Sequence, residues 1–168
     1  MRVTAIVLCA LLASAAKAGE PAIPGYAGLA FGDPHARAVE LFPGLEEMAG
    51  GSVDGLAIYT VADQSFETLR PCAATLSFIG DRFYEVKLDC GGGAEIETAL
   101  EKKYGAPTEV QEKHKVWKRD GRSVTMNLRS RGFAIFDDHL TKATQQYILQ
   151  RAMSGKFPVV KTKPKAKP

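Results

Sequence analysis

The sequence predicts an α+β domain: one antiparallel sheet of about six strands, built from two helix-strand-strand-strand units, with helices on one face and a closing C-terminal helix. Three observations predict it. Short runs of alternating apolar residues are joined by turns such as Gly80-Asp81-Arg82 and Asp120-Gly121, which is how antiparallel hairpins read. Two helical stripes, each stopped by glycine and proline (Pro43-Gly44, then Gly105 and Pro107), precede the two sets of strands. A third helical stretch follows the last strand. With 168 residues, 45% apolar and 24% charged, the chain has the size and composition of one globular domain, placed at 19–155.

Residues 1–18 read as a secretory signal. Arg2 supplies the positive start, residues 3–16 are almost wholly apolar or small, and Ala16-Lys17-Ala18 is a small-x-small cleavage site. The expected location is therefore periplasmic or secreted. Cys9 lies inside the apolar run, not at the cleavage point, which argues against lipid attachment. No later stretch reaches the ~20 apolar residues of a membrane span.

Residues 19–26 are Gly/Pro-rich and read as a leader. Asp33-Pro34 then opens a helix, Asp as N-cap and Pro in the first turn. Ala38, Val39, Leu41 and Phe42 supply its apolar positions, and Pro43-Gly44 ends it. Residues 45–55 read as loop and 56–61 as a strand, with Asp63-Gln64-Ser65 turn-like.

Residues 72–90 read as a hairpin whose register follows from its residues. A three-residue loop at 80–82 sets Ile79 against Phe83, Phe78 against Tyr84, Leu76 against Val86 and Ala74 against Leu88. Cys72 then meets Cys90, the two cysteines left after signal removal, and in an exported chain they are expected to form a disulfide. A two-residue Gly80-Asp81 loop sets Leu76 against Glu85 and parts the cysteines, and a one-residue slip turns every side chain to the wrong face, so the three-residue loop is expected.

Gly91-Gly92-Gly93 leads into a helix at 94–104, with Ile96, Ala99, Leu100 and Tyr104 as one stripe. Glu95 and Glu97 at its start and Lys102 and Lys103 at its end suit the helix dipole. The meander that follows pairs Trp117 with Val124 and Lys115 with Met126 across Asp120-Gly121. A turn at 129–132 then sets Leu128 against Phe133 and Met126 against Ile135. Asp137 or Asp138 caps a last helix at about 139–153, with Leu140, Ala143, Tyr147 and Ile148 inward and Gly155 as its stop. The Lys/Pro tail at 156–168 is expected to be disordered.

The helix-strand-strand-strand order occurs twice, at about 31–90 and 91–137. Together with Leu41-Phe42-Pro43-Gly44, the strands around Phe78-Ile79-Gly80-Asp81-Arg82-Phe83-Tyr84, and Lys103-Tyr104-Gly105-Ala106-Pro107 followed by Trp117, it resembles the family of the β-lactamase inhibitor protein and the outer-membrane assembly factor called small protein A. The resemblance spans about residues 28–137. It implies an exported, non-enzymatic protein that binds other proteins through its sheet. The chain departs from the assembly factor in having no lipid-attachment cysteine, and no binding residue of the family transfers to a numbered position.

Charge is segregated along the chain. Residues 19–101 hold 4 basic and 14 acidic residues, a net of −10, and residues 102–168 hold 16 basic and 5 acidic, a net of +11. Such halves either attract each other within the fold or meet a partner of matching pattern. Lys118, Arg119 and Arg122 gather at one end of the meander, and Lys113, Arg129 and Arg131 near the other. These six are the candidate contacts for an acidic protein or an anionic envelope polymer such as lipopolysaccharide or a cell-wall polymer. Export and the near-neutral total argue against nucleic acid.

No catalytic set emerges. Asp33 with His35, and Asp137, Asp138 and His139, sit at helix starts where capping accounts for them. Ser123 and His114 share the outer face of the meander but have no carboxylate to orient them. The triple glycine lacks the Gly-Lys-Ser/Thr ending of a phosphate loop. Two cysteines and three scattered histidines offer no metal spacing, and no cofactor is expected. The reading is a non-enzymatic protein-binding module, with a small-ligand or polyanion-binding protein as the alternative. His114, Val116, Lys118, Ser123, Thr125 and Asn127 form the contact face unless the final helix covers it.

Overall fold

The computed structural model describes residues 21–52, 55–129 and 132–154. The expected signal, the Lys/Pro tail, Gly155 and Arg131 lie outside them. A two-stranded ribbon, β1 (Gly25–Tyr26) with β2 (Leu29–Ala30), is followed by α1 (His35–Leu41), β3 (Glu46–Glu47), β4 (Leu56–Phe66), β5 (Leu69–Ile79) and β6 (Arg82–Asp89). Then come α2 (Gly93–Tyr104), β7 (Glu109–Val110), β8 (His114–Arg119), β9 (Arg122–Asn127), β10 (Gly132–Asp137) and α3 (Asp138–Met153).

The main sheet is antiparallel and eight-stranded, in the order β3-β4-β5-β6-β10-β9-β8-β7. Each half is a helix, a two-residue edge strand and a three-strand meander, and the halves meet where β6 pairs with β10. The six long strands are those the sequence predicts; the short edge strands β3 and β7 raise the count to eight.

One face carries the core. Trp117, Val124, Ile135, Val86 and Leu76 lie in one cross-strand row, and Met126, Phe133, Leu88 and Ala74 in the next. Ile96, Ala99, Leu100 and Tyr104 of α2 and Ala38 of α1 join the same cluster, so the predicted α2 stripe is buried. Trp117 is fully buried, and its Nε1 donates to the Gly105 carbonyl at 2.8 Å, satisfying the one polar atom of the ring.

Several sequence expectations are corrected. First, the stretch 19–26 is not all leader. Ile23 and Tyr26 are buried in the core, and the Ile23 carbonyl accepts from Arg122 Nη1 at 3.2 Å. Gly25 is needed in the ribbon, because a Cβ there would lie 2.0 Å from the Leu29 carbonyl oxygen.

Second, α1 starts at His35, and Asp33 does not cap it. Asp33 Oδ2 accepts from Ala30 N at 2.9 Å, while the His35 N–H is satisfied by Asp81 Oδ1 from the β5–β6 turn at 3.0 Å. Third, β4 runs through the turn-like residues to Phe66, and register shifts at Gln64 absorb them.

Fourth, the β5–β6 turn has two residues. Ile79 faces Arg82 and Phe78 faces Phe83, while Leu76 still faces Val86 and Ala74 faces Leu88. Tyr84 is the extra residue of a bulge, and it restores the face alternation that an unbroken two-residue hairpin loses. Cys72 and Cys90 are joined in a disulfide.

Fifth, β10 is displaced by two residues along β9. Phe133 faces Met126 and Ile135 faces Val124, leaving Leu128 exposed, its N–H bonded to the Lys113 carbonyl at 2.9 Å. A shift of two preserves the faces, so the remaining buried set is as predicted.

Asp137 is the N-cap of α3, accepting from the backbone N–H groups of His139 at 3.0 Å and Leu140 at 2.9 Å. The inward residue of this helix is Thr144; Leu140, Tyr147 and Ile148 are half-buried, and Ala143 is exposed. The helix lies on the face opposite α1 and α2. No α3 residue belongs to the core cluster, and Asp138 Oδ2 accepts from Ser123 Oγ at 3.1 Å, on the face Val124 turns away from.

Candidate binding surface

The second face of the sheet alternates with the core rows and, apart from Phe136 and Val116, is polar or small where they are apolar. Its first row is Lys118, Ser123, Phe136, Glu85 and Ser77. Here α3 closes over the sheet, and Ser123 and Ser77 are buried. The next row is Val116, Thr125, Ala134, Lys87 and Thr75, and the last brings Gly132, Asp89 and Ala73 beside His114 and Asn127.

These two rows form an open groove of about 670 Å³, with Ala73, Gly132 and Ala134 among its small residues and Phe136, Lys87, Asp89, His114, Thr125 and Asn127 also lining it. Glycine is required at 132 by the close approach of β10 to β6, because a Cβ there would lie 2.1 Å from the Leu88 carbonyl oxygen. Of the face predicted from the meander, His114, Thr125 and Asn127 line the groove, whereas Ser123 and Val116 are buried.

The five basic candidates among the described residues, Lys113, Lys118, Arg119, Arg122 and Arg129, do not share one surface. Lys118 is exposed on the second face, its Nζ donating to Glu109 at 2.6 Å, and that hydrogen bond is the chief reason its pKa is raised. Arg119 and Arg122 face each other across the hairpin and point to the opposite side. Arg119 donates to the carbonyls of Lys118 at 2.7 Å and Tyr104 at 3.4 Å. Arg122 sits over the Phe31 ring with its guanidinium carbon 5.5 Å from the centroid, and its Nε lies 3.9 Å from Asp137. These two arginines tie the N-terminal ribbon and α2 to the sheet. Lys113 and Arg129 are exposed near the other end of the meander.

Part of the charge segregation is spent inside the fold. Lys103 of the basic half pairs with Glu67 of the acidic half at 2.8 Å. Lys115 bonds Glu97 and lies 3.6 Å from Glu101, both on α2. The Glu97 hydrogen bond is the main reason the Lys115 pKa is raised. The attraction between halves that the sequence allowed is therefore realised at these partly buried pairs.

A protein-family model described as "Uncharacterised protein" matches residues 26–156, which takes in the whole main sheet and all three helices. The chain belongs to that family. No curated protein and no solved structure matches it. The family's span begins at Tyr26, so the ribbon strand that the core buries falls at its boundary.

The acid–base sets raised by the sequence have structural partners. Asp33 bonds a backbone N–H, Asp137 caps α3, and Ser123 Oγ is held by Asp138. His114 faces Asn127, two rows away from Ser123. Among the described residues, no group of three or more His, Cys, Asp or Glu side chains could hold a metal ion, and no helix is long and apolar enough to cross a membrane.

The sequence reading missed Ala73, Lys87, Asp89, Gly132 and Ala134. The signal was present in the residues alternating with the core positions: Ala73, Thr75 and Ser77 in one strand, Gly132 and Ala134 in another. Only the strand order brings them together.

Proposed function

We propose that this chain is an exported, non-enzymatic protein-binding module that works in a cell envelope or outside the cell, in the inhibitor-like manner its sequence resemblance implies. The groove on the second face carries the reading. A sheet face whose open rows set small Ala and Gly among Thr, Asn, His114, Lys87 and Asp89, beside a helix that closes the neighbouring row, has room for a partner's side chains. The disulfide favours an oxidising compartment. The paired or inward-turned state of Lys118, Arg119 and Arg122 moves the contact away from the basic cluster and toward the groove.

The alternative is a small ligand in the same groove, and one observation favours it: about 670 Å³ falls in the range of ligand sites. Affinity capture from envelope extract with the oxidised protein tests the first reading. Ala134→Arg and Thr125→Arg fill the groove without touching the core, and they should abolish capture of a discrete protein while leaving thermal stability within a few degrees. Capture that survives both substitutions would remove the groove from the account. Loss of a co-purifying small molecule, with no protein partner in either sample, would select the ligand.

A further inference from the structure

A second pocket, of about 300 Å³, lies on the other side of the molecule between the start of α1, the start of β4 and the β5–β6 turn. Its lining includes His35, Tyr59, Phe78 and Asp81. The His35 ring stacks on Tyr59 with centroids 4.1 Å apart, and both meet Phe78 edge-on at 5.6 and 5.7 Å. Two carboxylates belong to this neighbourhood. Asp81 lines the pocket, and Glu47 is the cross-strand partner of Tyr59, so both side chains leave the sheet on one side. Neither carboxylate has an ion pair among the described residues, in contrast to Glu67, Glu97 and Glu109 elsewhere. Asp81 Oδ1 is taken by the His35 N–H, and Oδ2 accepts no hydrogen bond among the described residues. The Tyr59 phenol registers this setting: burial first, then the charges of Glu47 and Asp81, raise its pKa.

We propose that this pocket binds a small organic cation of the alkylammonium class, with Tyr59, His35 and Phe78 as its aromatic wall and Asp81 as the counter-charge. Aromatic rings beside an uncompensated carboxylate attract a weakly hydrated cation through both the ring quadrupole and the full charge. A compact hydrated metal ion gains less here, because a single lining carboxylate cannot replace its water shell. The headgroup could be that of a free choline-like amine or of a choline lipid. The site is separate from the groove of the second face and stands or falls without it.

The test is an amide-resolved NMR titration of the oxidised chain with choline, with its neutral tert-butyl isostere 3,3-dimethylbutanol, and with calcium. Saturable shifts at residues 35, 59, 78 and 81 with choline alone are expected. Asp81→Asn keeps an acceptor for the His35 N–H and should weaken binding about 3-fold, and Tyr59→Leu on the order of 10-fold. Choline competing phosphatidylcholine vesicles off the protein assigns the lipid source, and vesicles that do not bind assign the free amine. Equal binding of the isostere, a calcium response at these residues without a choline response, or no saturation by about 100 mM choline would overturn the proposal.

Discussion

Opening the Cys72–Cys90 disulfide should cost this domain much of its margin. The bridge closes a span of 18 residues at the open end of the β5–β6 hairpin, opposite the Gly80-Asp81 turn. Closing a loop of that length removes about 3 kcal/mol of chain entropy from the unfolded state. The Cys72 side chain is itself buried, so replacement by alanine adds a small loss of packing to the loss of the link. With an m-value of about 1.5 kcal/mol/M, the urea midpoint should fall by ~2 M. Three samples separate the two contributions: oxidised protein, the same protein reduced, and Cys72→Ala/Cys90→Ala. Reduced and double-alanine forms should unfold near each other, both well below the oxidised form. The slope should also rise, because an unlinked unfolded chain exposes more surface. An oxidised and a reduced curve lying within ~0.5 kcal/mol would refute the reasoning, since the link would then constrain nothing that the hairpin's own pairing does not already hold.

Three further outcomes follow from single contacts. Asp137→Ala removes the side chain that accepts two N–H groups at the start of α3 and should cost about 1 kcal/mol in denaturant unfolding, whereas Asp137→Asn should restore most of it. Gly132→Ala drives a methyl to 2.1 Å from the Leu88 carbonyl oxygen and should destabilise by more than ~2 kcal/mol; a calorimetric scan matching the parent would show that β10 and β6 are not this close. Burial pushes the phenols of Tyr26, Tyr84 and Tyr104 up from 10 to about 12. The folded state thus holds these protons more tightly than the unfolded chain. The resulting stabilisation is complete below pH 10 and is lost as pH rises toward 12, by ~2–3 kcal/mol per phenol. Circular dichroism should therefore collapse in that window together with a cooperative rise in phenolate absorbance; gradual titration of all five tyrosines near 10 with the fold intact is the contrary result.

What could be read from the residues depended on how much turn chemistry was local. Asp120-Gly121 fixes a two-residue turn, and every pair from His114–Asn127 to Arg119–Arg122 follows from it. The cysteines anchored the far end of the β5–β6 hairpin, so Leu76–Val86 and Ala74–Leu88 were legible. The bulge at Tyr84 was not, since two residues opposite one leave no mark in an alternating pattern. Between β9 and β10 no such turn pair exists, and the register slid by two without disturbing either face. Ile23 and Tyr26 were hidden by the prolines and glycines around them, although a core that buries them needs only their side chains. The candidate surface was least legible. A groove is made of side chains that are absent, and Gly132, Ala134 and Ala73 acquire meaning only when β5, β6, β10 and β9 stand side by side.

The strand order also explains why the two faces of this sheet have different fates. Each repeated unit brings one helix, and both helices cover the same face, so the doubled architecture closes a single core and leaves the other face bare. The bare face would expose the central strands along their whole length, and α3, which has no counterpart in the first unit, shields one end of it. The helix is anchored there by Asp137 and by Ser123–Asp138, directly after β10, so its start is held at the row of Phe136. Asymmetry added to a symmetric sheet thus yields one covered row beside two open ones. A further buried layer would have called for apolar side chains in those open rows. Their mixture of Thr, Asn, Ala and Gly with Lys87, Asp89 and His114 instead suits a surface that is wet when free, and a partner that dries it must replace the water with hydrogen bonds of its own to those polar side chains.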